Sequence, residues 1–175
     1  DGRSPEEFGN GHLVGAVNVG LDGRYAEFAG SVVPSDVDIV LMVDDGRELE
    51  GRNRLARIGF DRVVGYLANP IQVMIDNPEK VVHASRLTAG ELAERMESVP
   101  DLQLVDIRNP GEFADGAIEG AAPMPVGQMP GRLGELDPLK PTVVYCAGGY
   151  RSSVAASYMR NHGFGDVSDL LGGYG

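Results

Sequence analysis

The sequence predicts an α/β protein made of two related units. Three observations carry this. First, a string of residues recurs at one spacing. Asp1, Arg3, Pro5, Glu7, Phe8, Gly11, Gly15 and Ala16 return as Asp106, Arg108, Pro110, Glu112, Phe113, Gly116, Gly120 and Ala121, an offset of 105 throughout. A fixed period marks repeated structural units. Second, short β-branched runs precede helix-like stretches in both halves, the pattern of βα units on a parallel sheet. Third, Asn69-Pro70 and Asn77-Pro78 interrupt both patterns and read as a link. The expected domains are residues 1–72 and 80–175.

In the first half, Asp38–Val43 reads as a strand, Asp44-Asp45-Gly46 as a turn and Arg47–Ile58 as a helix, followed by a short strand at Val63-Val64. In the second, Thr88 with Glu91 three residues on reads as a capping box opening a helix over Ala89–Glu97. Leu102–Val105 then reads as a strand, Thr142–Tyr145 as another, Ser152–Asn161 as a helix and Val167 as a last strand. Gly163-Phe164 repeats Gly59-Phe60 at an offset of 104. The first half lacks counterparts of the 89–97 helix and the 102–105 strand, so its opening elements are expected to be missing.

The net charge of -11 argues against nucleic-acid binding, which needs a basic face. No apolar run approaches the ~18 residues that read as a membrane span, and no basic-then-apolar leader opens the chain. The expectation is a cytoplasmic protein with no nucleic-acid or membrane partner. His12, His83 and His162 are scattered without ligand spacing, so no metal site is expected.

The chemistry concentrates at Cys146, the one cysteine. A strand delivers it, Ala147, Gly148, Gly149 and Tyr150 form a short loop, and a helix is expected after Arg151. Successive N–H groups of such a loop form an anion-binding nest, and the helix N-terminus adds positive character. Arg151 adds a full charge. All three favour thiolate over thiol, which makes Cys146 a nucleophile. They equally favour the terminal sulfur of a persulfide. Ser152 or Ser153 is expected to cap the helix, and Gly148 and Gly149 to supply positive φ. Tyr150 either walls the pocket or faces solvent. Asp106 and Arg108 read as a structural ion pair at a strand end, beneath the loop. Met124 and Met129 read as packing residues.

These residues resemble the rhodanese family. Its Cys-x-x-Gly-x-Arg loop stands here as Cys146-Ala-Gly-Gly149-Tyr-Arg151, and its Asp-x-Arg-x-x-x-Glu-Phe motif as Asp106 to Phe113. Gly163-Phe164 and Gly172-Gly173 also fit, and the resemblance extends over both halves as tandem copies. It implies a parallel sheet of about five strands in each domain, with helices on both faces. It also implies a sulfurtransferase that holds sulfane sulfur covalently on Cys146, with no other cofactor. Thiosulfate or a low-molecular-weight persulfide would be the donor and a thiol or cyanide the acceptor. Phosphatase relatives carry one more loop residue, and the length here is the sulfur-transferring one. The competing readings are a non-catalytic scaffold and a cysteine-dependent phosphatase or arsenate reductase.

Two departures stand out. The family's Gly-His is kept as Gly11-His12 but becomes Gly116-Ala117 in the second half. The first half has no cysteine, and its loop is the acidic Met42–Arg47, so it reads as a pseudo-rhodanese. An inactive copy before an active one is similar to the C-terminal part of fusions that begin with a metallo-β-lactamase-fold domain. A metal-dependent hydrolase upstream in the parent chain is therefore expected.

Overall fold

A computed structural model describes all 175 residues. The chain divides into two compact units, Asp1–Ala84 and Ser85–Gly175. No helix is long and apolar enough to cross a membrane.

The first unit runs α1 (Pro5–Asn10), β1 (His12–Leu13), α2 (Tyr25–Val32), β2 (Ile39–Leu41), α3 (Glu48–Ala56), β3 (Val63–Tyr66), α4 (Pro70–Asp76) and β4 (Val81–Val82). Ser4 and Glu7 form a capping box on α1, with Pro5 in its first turn. That satisfies N–H groups that a helix start leaves unpaired. β2 and β3 pair in parallel, β1 and β4 antiparallel. The expected five-stranded sheet is therefore not formed here. At the 105 offset, residues 1–84 hold no equivalents of 85–87 and 103–105, which supply two of the second unit's strands. The first unit also runs past the expected break at 72. α4 forms from the Asn69-Pro70 turn, because proline suits the first helical position. β4 then pairs with β1, and the Ala84 N–H reaches Gly9 O at 3.1 Å. His12 is structural: its ring stacks 3.7 Å from Phe8 and its Nδ1 lies 2.8 Å from Phe8 O.

The second unit runs β5 (Ser85–Leu87), α5 (Ala89–Ser98), β6 (Gln103–Asp106), α6 (Pro110–Ala114), β7 (Ala122–Pro123), α7 (Met129–Arg132), β8 (Thr142–Tyr145), α8 (Tyr150–Arg160) and β9 (Val167–Leu170). Its five strands form one sheet in the order β5-β9-β8-β6-β7, all parallel. Every residue of β8 and β9 is buried, as in strands covered on both faces. Because side chains alternate along a strand, Leu104, Val143, Tyr145 and Leu170 share one face and pack on Leu92 of α5. α8 packs on β8 and β9, and Asp169 of β9 pairs with Arg86 of β5 at 3.3 Å. Thr88 and Glu91 form the expected capping box of α5.

The chain leaves β6 toward β7 on one side and leaves β8 toward β9 on the other. The order reverses between β6 and β8. Ligand sites in open α/β sheets lie beyond the carboxyl ends of strands at such a reversal. Asp106 and Cys146 stand at those two strand ends.

Candidate active site

Cys146 follows the last residue of β8 and is 1% exposed. The Gly149 N–H donates to its Sγ at 3.1 Å, and Ser152 Oγ lies 3.6 Å from the same sulfur. Ser152 Oγ in turn donates to Gly149 O at 3.1 Å. Ala147 and Gly148 are exposed, whereas Gly149 is buried. Of the two loop glycines only Gly149 adopts the left-handed region, at φ 92°. That conformation turns its N–H inward as the residue immediately before α8, and a side chain there would be strained.

α8 begins at Tyr150, earlier than the sequence suggests. Arg151, Ser152 and Ser153 therefore sit inside its first turn. The expected serine cap is absent and Gly149 occupies that position without a side-chain bond. The early start is physically reasonable. Gly149 supplies the turn alone, so Tyr150 and Arg151 are free to be helical. Cys146 consequently lies against the first turn of an eleven-residue helix, whose orphan N–H groups and dipole favour negative charge.

Arg151 is held differently from expectation. Its Nη1 and Nη2 donate to the two carboxylate oxygens of Glu112, each at 2.7 Å. Such a forked pair fixes orientation as well as charge. Pairing with Arg151 pulls the Glu112 carboxyl down to about 2. Arg151 is correspondingly harder to deprotonate than usual, first through Glu112 and secondarily through Cys146. Part of the cationic field assigned to Cys146 is thus offset. Glu112 is the residue that sequence reasoning left without a role. Its signal was present, since it sits at the motif position whose first-unit counterpart is Glu7. There Glu7 is occupied only with Ser4, and the structural counterpart of Arg151 is the acidic Glu48.

Asp106 and Arg108 form a buried ion pair at the end of β6. Asp106 is fully buried and Arg108 is 5% exposed. Arg108 Nε donates to Asp106 Oδ1 at 3.0 Å and Nη2 to Oδ2 at 2.6 Å, while Nη2 also reaches Gly116 O at 2.6 Å. The first unit repeats the device, with Arg3 on Asp1 and on Gly11 O. The neighbouring Tyr145 hydroxyl accepts from the Ile118 N–H at 3.1 Å, and burial pushes that phenol up to about 12. Met124 and Met129 are buried core. Tyr150 is half-buried at the head of α8.

Backbone bonds align the two units residue by residue. Gly2 N–H donates to Met42 O, as Ile107 N–H donates to Tyr145 O. Val43 is therefore the counterpart of Cys146 and Gly46 of Gly149. Gly46 repeats the left-handed φ, at 85°. The first unit keeps the turn and lacks the sulfur.

Residues 88–175 match the rhodanese-like domain family. A sulfurtransferase of Allochromatium vinosum is 36% identical over 89 residues, covering 51% of this chain and 83% of that protein. A thiosulfate sulfurtransferase GlpE of Shewanella oneidensis is 35% identical over 88 residues, 50% of this chain and 86% of that protein. A tRNA uridine(34) hydroxylase of Pectobacterium atrosepticum is 30% identical over 145 residues, 77% of this chain but only 37% of that protein's length. Among solved structures, a rhodanese-like domain protein of Staphylococcus aureus superposes with a TM-score of 0.48 at 29% identity, over 51% of this chain and 86% of the other.

Proposed function

This chain belongs to the rhodanese-like family, and on that premise we propose that its second unit is a sulfurtransferase working through a persulfide on Cys146. The observation that supports it best is the Gly149 N–H at 3.1 Å from a buried sulfur at the head of α8. A preorganised donor aimed at a sulfur stabilises negative charge on it without reorganisation. In the first step the Cys146 thiolate attacks the sulfane sulfur of thiosulfate, or the outer sulfur of a small persulfide. The donor's S–S bond breaks, and sulfite or a thiolate leaves with the electron pair. In the second step an acceptor thiolate attacks the terminal sulfur, and Cys146 leaves as thiolate. No net oxidation is needed. The span from Cys146 through Arg151 is six residues, a length that favours sulfur over the larger phosphate.

The first unit is proposed to be a degenerate second copy. The repeated Arg–Asp pair and the Val43–Cys146 correspondence support this. With Val43 where the sulfur would be, and Asp44 and Asp45 beside it, it has neither nucleophile nor a place for an anion.

The test is mass spectrometry after exposure to thiosulfate or glutathione persulfide. An adduct of about +32 Da on Cys146 is expected, as for any persulfidation, and Cys146→Ala should lack it. If neither donor yields the adduct, the transfer reading fails. Turnover of a phosphomonoester or arsenate in its place would point to the phosphatase reading.

A further inference from the structure

The reactive loop is touched by a segment to which the transfer mechanism gives no work. After β9 the chain turns through Gly172 and Gly173, both left-handed at φ 74° and 70°, and returns over Cys146. The Tyr174 N–H donates to Cys146 O at 2.8 Å. Gly173 packs so closely that a Cβ on it would run into Cys146 O and into the carbonyl of Ala147. The Tyr174 ring lies under the Arg108 guanidinium, 4.1 Å from centroid to Cζ. Its hydroxyl occupies the space that a Cβ on Gly116 would take, at 2.7 Å.

We propose that Gly172–Tyr174 is a clasp on the sulfur loop and that Tyr174 is a positioning residue for the transfer reaction. The clasp acts through one peptide plane. In a trans peptide the C=O and the following N–H point in opposite directions. Pinning Cys146 O to the Tyr174 N–H therefore turns the Ala147 N–H away from the clasp, toward the interior of the loop. The ring fixes the other end of the lever. Arg108 is already anchored to Asp106 and Gly116 O, so a guanidinium stacked on Tyr174 ties the clasp to the rigid support beneath the sheet end.

The first unit supplies an internal control. A bulge in β3 sets Tyr66 beside Leu41 as Asp169 stands beside Val144, an offset of 103 that places Asn69 opposite Gly172 and Pro70 opposite Gly173. Asn69 keeps the left-handed turn, at φ 49°. Pro70 cannot take the left-handed φ of Gly173, and its ring fills the space through which Gly173 approaches the loop carbonyls. The glycine approach belongs to the unit that has the cysteine.

This inference rests on the proposed sulfur transfer, and its test separates the two. Tyr174→Pro removes the donor, Gly173→Ala forces the loop away from the clasp, and Tyr174→Phe keeps both N–H and ring. In hydrogen exchange, the amides of residues 147–151 are expected to exchange about tenfold faster in Tyr174→Pro than in the parent, a loss of local protection, with strands β6 and β8 unchanged. In thiosulfate:thiol transfer, kcat should fall about tenfold with KM within twofold, the signature of lost transition-state organisation. Gly173→Ala should behave likewise, and Tyr174→Phe should match the parent. If Tyr174→Pro does not fold, Gly173→Ala decides by the same two readouts. Unchanged loop exchange overturns the clasp. Faster exchange with unchanged kcat overturns the positioning role. If the parent itself forms no persulfide, the transfer reading falls, and unequal rates of Cys146 alkylation by iodoacetamide in parent and Gly173→Ala are then required for the clasp to stand.

Discussion

Replacing Arg108 by Met should destabilise the second unit by about 3 kcal/mol, and the figure can be built from its contacts. Arg108 and Asp106 are 5% and 0% exposed. The substitution removes the guanidinium bonds to both Asp106 oxygens and to Gly116 O. The residue-108 backbone N–H, 2.9 Å from Asp106 Oδ1, survives, as does the Tyr145 hydroxyl beside the carboxylate. Stranding one member of a buried pair costs about 3–5 kcal/mol, and the surviving N–H argues for the lower end. In a unit of this size each kcal/mol lowers Tm by about 4–8 °C, so a fall of about 12–24 °C is expected. Urea unfolding followed by circular dichroism gives the free energy directly. Asp106→Leu combined with Arg108→Met should recover at least half of the loss, since it removes the stranded charge. An Arg108→Met variant within about 1 kcal/mol of the parent would refute the argument. So would a double variant no better than the single one.

Three further expectations follow from the site. Gly149→Ala puts a methyl in ordinary contact with Arg86, 3.7 Å away, but forces a side chain into φ 92°. It should cost about 1–2 kcal/mol and slow persulfide formation, both measurable on one preparation; a neutral result would show that the left-handed turn is not required. The Glu112–Arg151 pair should titrate in acid. Its carboxyl lies at about 2 in place of the ordinary 4.5, and a depressed carboxyl stabilises the fold in full above the unfolded value and loses that stabilisation as the pH falls toward the folded one. The Tm gap between parent and Glu112→Gln should therefore be constant from neutral pH down to about 5 and close between 4.5 and about 2; a gap that widens in acid would contradict the pairing. Finally, Val43→Cys should acquire no persulfide from thiosulfate by mass spectrometry. Asp44 and Asp45 follow it directly and repel an anionic donor. An adduct there would mean that the first unit's loop is competent and lacks only its sulfur.

Much of this architecture was legible from local patterns. Thr142–Tyr145 is β-branched or aromatic throughout, and it forms β8 with those bounds. Thr88 and Glu91 specify a helix start by mutual hydrogen bonding, and they make it. The offset between Asp1 and Asp106 exposed two related segments, both of which fold around an Arg–Asp pair. These features depend on neighbours within a few residues, or on a repeat that needs no coordinates to see.

What the sequence alone determined is that a lone cysteine follows a buried strand and precedes a glycine turn and a helix. Chain connectivity decides that much. The tertiary structure decided which groups surround it. Glu112 is 39 residues from Arg151 and binds it through both terminal guanidinium nitrogens, because β6 and β8 are sheet neighbours and bring α6 to the head of α8. Tyr174 reaches Cys146 O because two left-handed glycines reverse the chain after β9. The pairing of β1 with β4 in the first unit likewise follows from tertiary packing. Hydrogen bonds and ion pairs between residues distant in sequence follow from strand order, and strand order is a property of the packed sheet, not of any one segment.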